Sequence, residues 1–295
     1  MAPLHEPVMV PEVLALLEPS RGGLFVDCTV GLGGHSRALL EAGADRLLGL
    51  DRDTAALAIA GHALSAFGDR VELVHADYRD LGRILDGRGL DTVAGALADL
   101  GVSSMQLDEP GRGFSFRTDE PLDMRMDRTQ GPTAAELLRR VDEQELADVI
   151  FQFGEERFSR RVARAIVGAR RDAPIETTSR LAAIVRRAVP HKGHQRIDPA
   201  TRTFQALRIW VNRELEGLDT FLADATRRLR ANARLAVITF HSLEDRIVKH
   251  TFRALEKTGE GLRILTRRPL TPGDTEVARN PRARSAKLRA IERFV

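Results

Sequence analysis

Four short apolar runs mark the first hundred residues of this 295-residue chain: Leu24–Thr29, Arg46–Asp51, Val71–Ala76 and Thr92–Leu100. Each has the length of a strand, and the fourth is nearly continuous, as a strand buried on both faces of a parallel sheet must be. Between them, residues 10–18 and 34–43 read as helices, and residues 54–67 carry apolar side chains at helical spacing up to Gly68. Strands alternating with helices at this pace predict a doubly wound, mostly parallel α/β sheet with right-handed crossovers. Ligands of such sheets bind beyond the C-terminal strand ends.

After Leu100 the rhythm changes. Residues 108–131 are rich in Gly, Pro, Asp and Arg without periodicity, which predicts a long ordered loop. Capping boxes at Thr133–Glu136 and Asp142–Glu145 each start a helix, the second ending at Gly154. Residues 155–171 and 178–189 predict two more, broken by Pro174 and Pro190. Residues 201–230 read as one long amphipathic helix carrying Phe204, Leu207, Val211, Leu215, Leu218 and Leu222 on one stripe. Leu235–Phe240 restores the sheet, residues 244–257 form a helix, and a turn-rich basic tail follows. The helical block is read as an insertion: residues 1–107 and 208–295 form the sheet domain, and residues 108–207 an inserted all-α domain.

The first strand runs into Gly31-Leu32-Gly33-Gly34-His35-Ser36. Glycines there let the backbone turn tightly and approach a ligand, and the following helix points free N–H groups at it. Asp51, twenty residues past Gly31, ends the second strand, where a carboxylate can hold both hydroxyls of a ribose. Ser36 stands where a dinucleotide fingerprint has its third glycine, which argues against a dehydrogenase, and no GxxxxGK[ST] phosphate loop occurs. Asp77-Tyr78 at the third strand end puts an acid and an aromatic where an adenine would lie. Asp99-Leu100-Gly101-Val102-Ser103-Ser104 ends the fourth. Four successive strand tips therefore carry polar groups for one nucleotide-like cofactor.

Charge adds a second kind of ligand. Residues 1–110 hold 8 basic and 17 acidic side chains, residues 154–213 hold 14 and 5, and residues 263–295 hold 9 and 3, in a chain whose net charge is only +3. An acidic cofactor half with two basic segments suits a polyanion-binding enzyme, although solvated helix faces give the same count. Of the 45 basic residues 41 are arginine, a bias that phosphate recognition or a GC-rich genome would each produce. A single cysteine, Cys28, excludes an internal disulfide and suits a reducing cytoplasm. No signal-like segment and no run of eighteen apolar residues points to secretion or a membrane.

Longer blocks carry a resemblance. Asp27-Cys28-Thr29 with Gly31–Ser36, Asp99–Ser104, Arg112-Gly113-Phe114-Ser115-Phe116, Pro121–Asp127, Ala200–Arg208, Phe240–Arg246 and Asn280–Ser285 resemble the RsmH/MraW family from about His5 to the C-terminus. The resemblance implies a Rossmann-like class I methyltransferase fold, and methyl transfer from S-adenosyl-L-methionine to the exocyclic N4 amine of a cytidine in the decoding centre of 16S ribosomal RNA. It implies a cytoplasmic enzyme meeting that RNA within the small ribosomal subunit, as a monomer or homodimer, through the 108–207 insertion. Gly33, Gly34 and His35 would line the methionine end and ribose of the donor, Asp51 the ribose hydroxyls and Tyr78 the adenine. Asp99 and Gln106 would close the site. Tyr78 and Met105 depart from the family pattern, where a Phe and a Pro are familiar.

No metal is needed for such a transfer, which depends on holding donor and acceptor in line. The cytosine amine is a weak nucleophile, and a carboxylate accepting its N–H would localise the lone pair; Asp99 is the choice, with loop capping or donor binding alone as the alternative. His241 could be a second catalytic contact near the base, or a histidine bonded within its own turn to Ser242 or Asp245. The loop containing His191 and His194 is expected to meet RNA, as are Arg160, Arg161, Arg186 and Arg187. The Asn280–Arg284 segment reads as a flexible phosphate clamp or a solvated tail, and Trp210 as core.

Overall fold

The structure, a computed structural model, describes residues 7–190 and 197–295; His191 and His194 lie outside the described residues. Two compact units form. One takes the chain up to Gly101 and again from Leu215 to Val295, and the other is Val102–Glu214. The second unit begins and ends several residues outside the expected 108–207 insertion.

The first unit is a seven-stranded sheet of β1 (Leu24–Asp27), β2 (Arg46–Asp51), β3 (Val71–His75), β4 (Val93–Asp99), β5 (Leu229–Thr239), β6 (Leu262–Ile264) and β7 (Lys287–Arg293). Their order is β3-β2-β1-β4-β5-β7-β6. Strands β1 to β5 are parallel, and β7 runs antiparallel between β5 and β6. The order reverses between β1 and β4, the switch point at which open α/β sheets bind their ligands. Helices α1 (Val10–Leu17), α2 (Gly34–Glu41), α3 (Thr54–Leu64) and α4 (Leu81–Asp86) belong to this unit.

Alternate strand residues feed two cores. Val26, Leu48, Ala96, Ala98 and Val237 pack on one face with Phe221, Val248 and Phe252, while Phe25, Leu47, Leu97 and Ile238 pack on the other with Val13, Leu39 and Leu288. Losing a fully buried ring such as Phe25 or Phe252 to Ala costs about 3–5 kcal/mol in cores of this kind. Both faces are covered, which is why β4 is buried from Val93 to Ala98 and reads as an unbroken apolar run. The α/β, doubly wound, mostly parallel expectation is met.

The second unit holds α5 (Ser104–Asp108), α6 (Ala134–Arg140), α7 (Glu143–Gly154), α8 (Ser159–Asp172), α9 (Thr178–Ala188) and α10 (Ala200–Asn212). Its own core includes Leu146, Ile150, Val162, Ile166, Leu181, Val185, Phe204 and Leu207, with Trp210 packed against it. The 108–131 segment is ordered without being regular. Arg112, 1% exposed, donates to the carbonyls of Arg125 and Met126 at 3.2 and 3.1 Å, and Asn212 brackets the turn by accepting from the Met126 N–H and donating to the Met124 carbonyl. Met124 there has φ 62°.

Several expectations need correction. The long helix over 201–230 is two helices: α10 stops where Arg213 turns left-handed (φ 51°), and α11 (Leu218–Arg227) starts after Gly217 (φ 68°). Buried Asn212 spends its side chain on the 124–126 turn, and the break falls at the boundary between the units. Strand β5 begins at Leu229, six residues before Leu235, because its pairing with β4 passes through an irregularity at which Asn232 takes φ 61°. The basic tail is turn-rich as far as Gly273 but is not merely solvated. It supplies α13 (Asp274–Arg279) and central strand β7, whose charges are paired inside: Arg289 donates to Asp245 at 2.6 Å, and Glu292 accepts from Arg234 at 2.9 Å. The Asn280–Arg284 segment is regular and not an irregular tail: the Asn280 side chain caps a 3-10 turn over Pro281–Ser285 and Ala283 is wholly buried, while Arg284 is exposed. Helix α12 (Ser242–Lys257) starts two residues earlier than expected.

Candidate active site

The glycine loop is threaded between the strands flanking β1. Beyond Asp27 the Cys28 N–H donates to the Leu97 carbonyl of β4 and the Val30 N–H to the Leu50 carbonyl of β2, at 2.8 and 2.9 Å. Gly31 and Gly33 have φ of 53° and 84°, which a side chain would strain, and Gly33 caps α2 with no side-chain acceptor at that helix end. A Cβ on Gly34 would strike Pro7 at 2.9 Å, whereas one on Gly31 would meet nothing nearer than the Thr29 carbonyl at 4.0 Å. Gly34 is therefore held by packing, and Gly31 borders open space.

Two carboxylates and a histidine gather at the switch point. Asp27 ends β1 fully buried and accepts from the Ser36 hydroxyl at 2.7 Å and the Thr29 N–H at 3.2 Å. Asp99 ends β4; its N–H donates to the Thr29 hydroxyl at 2.6 Å, and its Oδ2 lies 3.6 Å from Nε2 of His35 in the first turn of α2. That spacing is an ion-pair distance, too long for a hydrogen bond. Both ring nitrogens of buried His35, and Oδ1 of Asp99, have no hydrogen-bond partner. Burial alone would lower the His35 pKa, but Asp99 and Asp27 raise it. Burial raises the Asp27 pKa although His35 and Ser36 oppose it. The cluster thus tends to keep a proton, and it leaves polar atoms facing no protein partner, which buried groups seldom do without a ligand. Asp27 and Ser36 were not among the expected site residues; their signal was the buried carboxylate immediately before the glycine loop.

Asp51 ends β2 one strand away. Its Oδ2 accepts from the Gly31 N–H at 2.7 Å and its Oδ1 from the Asp53 N–H at 2.8 Å. Burial pushes its pKa up to about 6, against those two hydrogen bonds. Asp77, after β3, is engaged elsewhere: it accepts from Arg79 at 2.6 Å and lies 3.7 Å from Arg52, and these arginine contacts overcome burial to lower its pKa. The Tyr78 ring packs at 4.6 Å on Phe221. Gly33, Gly34, His35, Asp51, Tyr78 and Asp99 all belong to the first unit, around the C-terminal ends of β1 to β4.

Two expected residues sit differently. Gln106 belongs to the second unit and closes a capping box on α5: its N–H reaches the Ser103 hydroxyl at 3.2 Å, and its Oε1 accepts from the Ser103 N–H at 3.0 Å. His241 caps α12 and its side chain meets Glu244 in the turn, while the Asp245 N–H donates to the His241 carbonyl at 3.2 Å. Nδ1 accepts from the Glu244 N–H at 3.4 Å and Nε2 lies 3.1 Å from Glu244 Oε1, while Glu244 Oε2 accepts from the Phe240 and His241 N–H groups at 2.9 and 3.3 Å. Asp245 instead pairs with Arg289 and Lys287.

Comparison with known proteins decides the family. The MraW methylase family model matches residues 2–294. The chain belongs to the MraW methylase family. Ribosomal RNA small subunit methyltransferase H of Nitrobacter hamburgensis is 54% identical over 302 aligned positions, covering 98% of this chain and 90% of that one. The protein of the same name from Geobacter sulfurreducens is 51% identical, covering 98% and 99%. Among solved structures, an rRNA methylase from Streptococcus thermophilus is similar with a TM-score of 0.43 and 10% identity, over 97% of each chain. Among the described residues of this MraW-family chain no helix is long and apolar enough to cross a membrane.

Proposed function

We propose that the protein transfers a methyl group from S-adenosyl-L-methionine to the exocyclic N4 amine of a cytidine in the decoding centre of 16S ribosomal RNA, within the small ribosomal subunit in the cytoplasm. Family membership over nearly the whole chain supports methyl transfer. The name shared by the relatives supports small-subunit RNA as acceptor, and the resemblance of the blocks quoted above supports the cytidine amine.

The residues fit the donor. Gly33, Gly34 and His35 offer an uncapped helix start and unpartnered ring nitrogens, Gly31 leaves room beside them, and Asp51 keeps lone pairs for two ribose hydroxyls. When bound, S-adenosyl-L-methionine supplies an electrophilic methyl on a positively charged sulfur. The observation that carries the mechanism is Asp99 Oδ1, buried at the switch point and free to accept an N–H. Accepting from the cytosine amine, it localises the lone pair and stabilises the positive charge that grows on nitrogen during attack. His35 lies 3.6 Å from the other oxygen and helps fix the direction in which Asp99 points. Tyr78 would border the adenine, Gln106 would help close the donor site, and His241 would lie near the base. The second unit would be the RNA-recognition domain. Here Arg186 serves the fold: it pairs with Asp198 at 2.8 Å and lies over the Phe116 ring, so Arg160, Arg161 and Arg187, all exposed, are better placed to meet phosphate.

Labelled-methyl transfer into small subunits, large subunits and DNA, followed by nucleotide mapping, tests the reading. The expected outcome is one labelled cytidine in small-subunit RNA; label on an adenine or on DNA overturns it.

A further inference from the structure

Helix α8 is arranged against its own electrostatics. Val162, Ala163, Ile166 and Val167 form its buried stripe, and Arg160, Arg161, Arg164, Gly168 and Arg171 are exposed. Its first turn holds two arginines and no acid, and no side chain caps it, although the positive end of a helix disfavours cations. Arg157 just before it lies 4.5 Å over the Phe158 ring. Glu143, 3.3 Å from Arg164, is the one carboxylate at ion-pair distance from these exposed α8 arginines among the described residues.

Gly168 is the second oddity. A glycine inside a helix is unfavourable relative to alanine, yet a Cβ at Gly168 would meet no atom within 4 Å. Nothing in the fold requires the missing side chain. It sits between Arg164 and Arg171, one turn from each, so it opens a bare stretch of helix backbone inside a row of arginines about 16 Å long. Phe151 near the end of α7 is 59% exposed, at the end of the α7–α8 hairpin where Arg157, Arg160 and Arg161 lie.

We propose that this face of α8 is a track for the sugar-phosphate backbone of RNA, with Gly168 the point of closest approach and Phe151 offering its ring to an unpaired base. The arginines supply the counter-charge, and an exposed ring at the end of α7, a short connection before the first of them, suits base stacking. Exposed Asp148, Glu155 and Asp172 bound the track. The inference rests on the reading that the acceptor is RNA.

Binding of the full-length protein to small subunits and to protein-free 16S ribosomal RNA, across a salt series, tests it. The triple variant R160Q/R164Q/R171Q should lower the slope of log affinity against log salt by about two to three, with donor affinity unchanged. R253Q, an exposed arginine on α12, should leave the slope as it is. Gly168→Ala should bind RNA several-fold more weakly while its Tm holds or rises, a combination that a purely structural role would not give. Phe151→Ala should weaken binding to unpaired RNA without altering the slope. A triple variant with the wild-type slope overturns the track, and Gly168→Ala with wild-type affinity overturns the close approach. In either case wild-type labelling of RNA leaves the methyl-transfer reading standing; a wild-type protein that labels no RNA fails that reading instead.

Discussion

Two regions of one sheet set a histidine beside a carboxylate, His35 buried and His241 with its side chain largely covered, and the two pairs are bonded differently. At the tip of β5, His241 and Glu244 close on each other: Nδ1 and one carboxylate oxygen of the pair accept backbone N–H groups at the start of α12. At the tips of β1 and β4, His35 and Asp99 stand 3.6 Å apart with both ring nitrogens and one carboxylate oxygen without a hydrogen bond. Residue type does not separate the two regions. Satisfaction does so by degree: at the β5 tip His241 Nε2 lacks a hydrogen bond but faces Glu244 at 3.1 Å, whereas the switch point leaves both His35 nitrogens and an Asp99 oxygen unbonded, and a buried unbonded group is costly unless something binds it.

The largest effect should come from the unsatisfied region. Asp99→Ala is expected to lower kcat by about 10²–10³-fold, the usual loss when one charge-stabilising group is removed. The fold should survive, since Asp99 is tied to Thr29 through its main-chain N–H. Single-turnover methyl transfer, with donor affinity measured alongside, checks this; near wild-type transfer with donor affinity intact would remove Asp99 from the chemistry. Glu244→Ala should act on stability. It strips acceptors from the buried start of α12 and should destabilise by about 2–3 kcal/mol, seen as a lower Tm with transfer per folded molecule preserved. A hundred-fold loss of kcat at unchanged Tm would make the β5 tip a second reacting centre and erase the contrast.

The same distinction explains what could be read from the sequence. Strands β1 to β4 were legible because burial on both faces of a parallel sheet writes continuous apolar runs. The glycine loop was legible because its left-handed turns at Gly31 and Gly33 demand glycine, and Asp51 because it ends a recognisable strand. Strand β7 was hidden because Arg289 and Glu292 are buried in ion pairs with Asp245, Arg234 and Arg263, so a central strand looks like a solvated basic tail. The break between α10 and α11 was hidden because Leu215, Leu218 and Leu222 keep helical phase across it, leaving Gly217 as the signal. Within the site, Asp27 and Ser36 were passed over because their bond depends on a turn whose course no spacing rule specifies. Tyr78, expected beside an adenine, packs its ring on Phe221.

Asp51 provides the finest test of the contrast, because it is partly satisfied: two backbone N–H groups hold it, yet burial still pushes its pKa up to about 6. To accept from two ribose hydroxyls the carboxylate must be ionised. Donor affinity should therefore be flat above that pKa and weaken about tenfold for each further unit below it, since each unit costs a factor of ten in the ionised fraction. Titration calorimetry with the donor between pH 5 and pH 8 measures this, and Asp51→Asn should bind more weakly but without the acid-side slope. The sign matters as much as the size. An affinity that falls as pH rises would instead report the loss of a proton from His35, whose pKa is also raised, and would assign donor recognition to the histidine at the switch point and not to the β2 carboxylate.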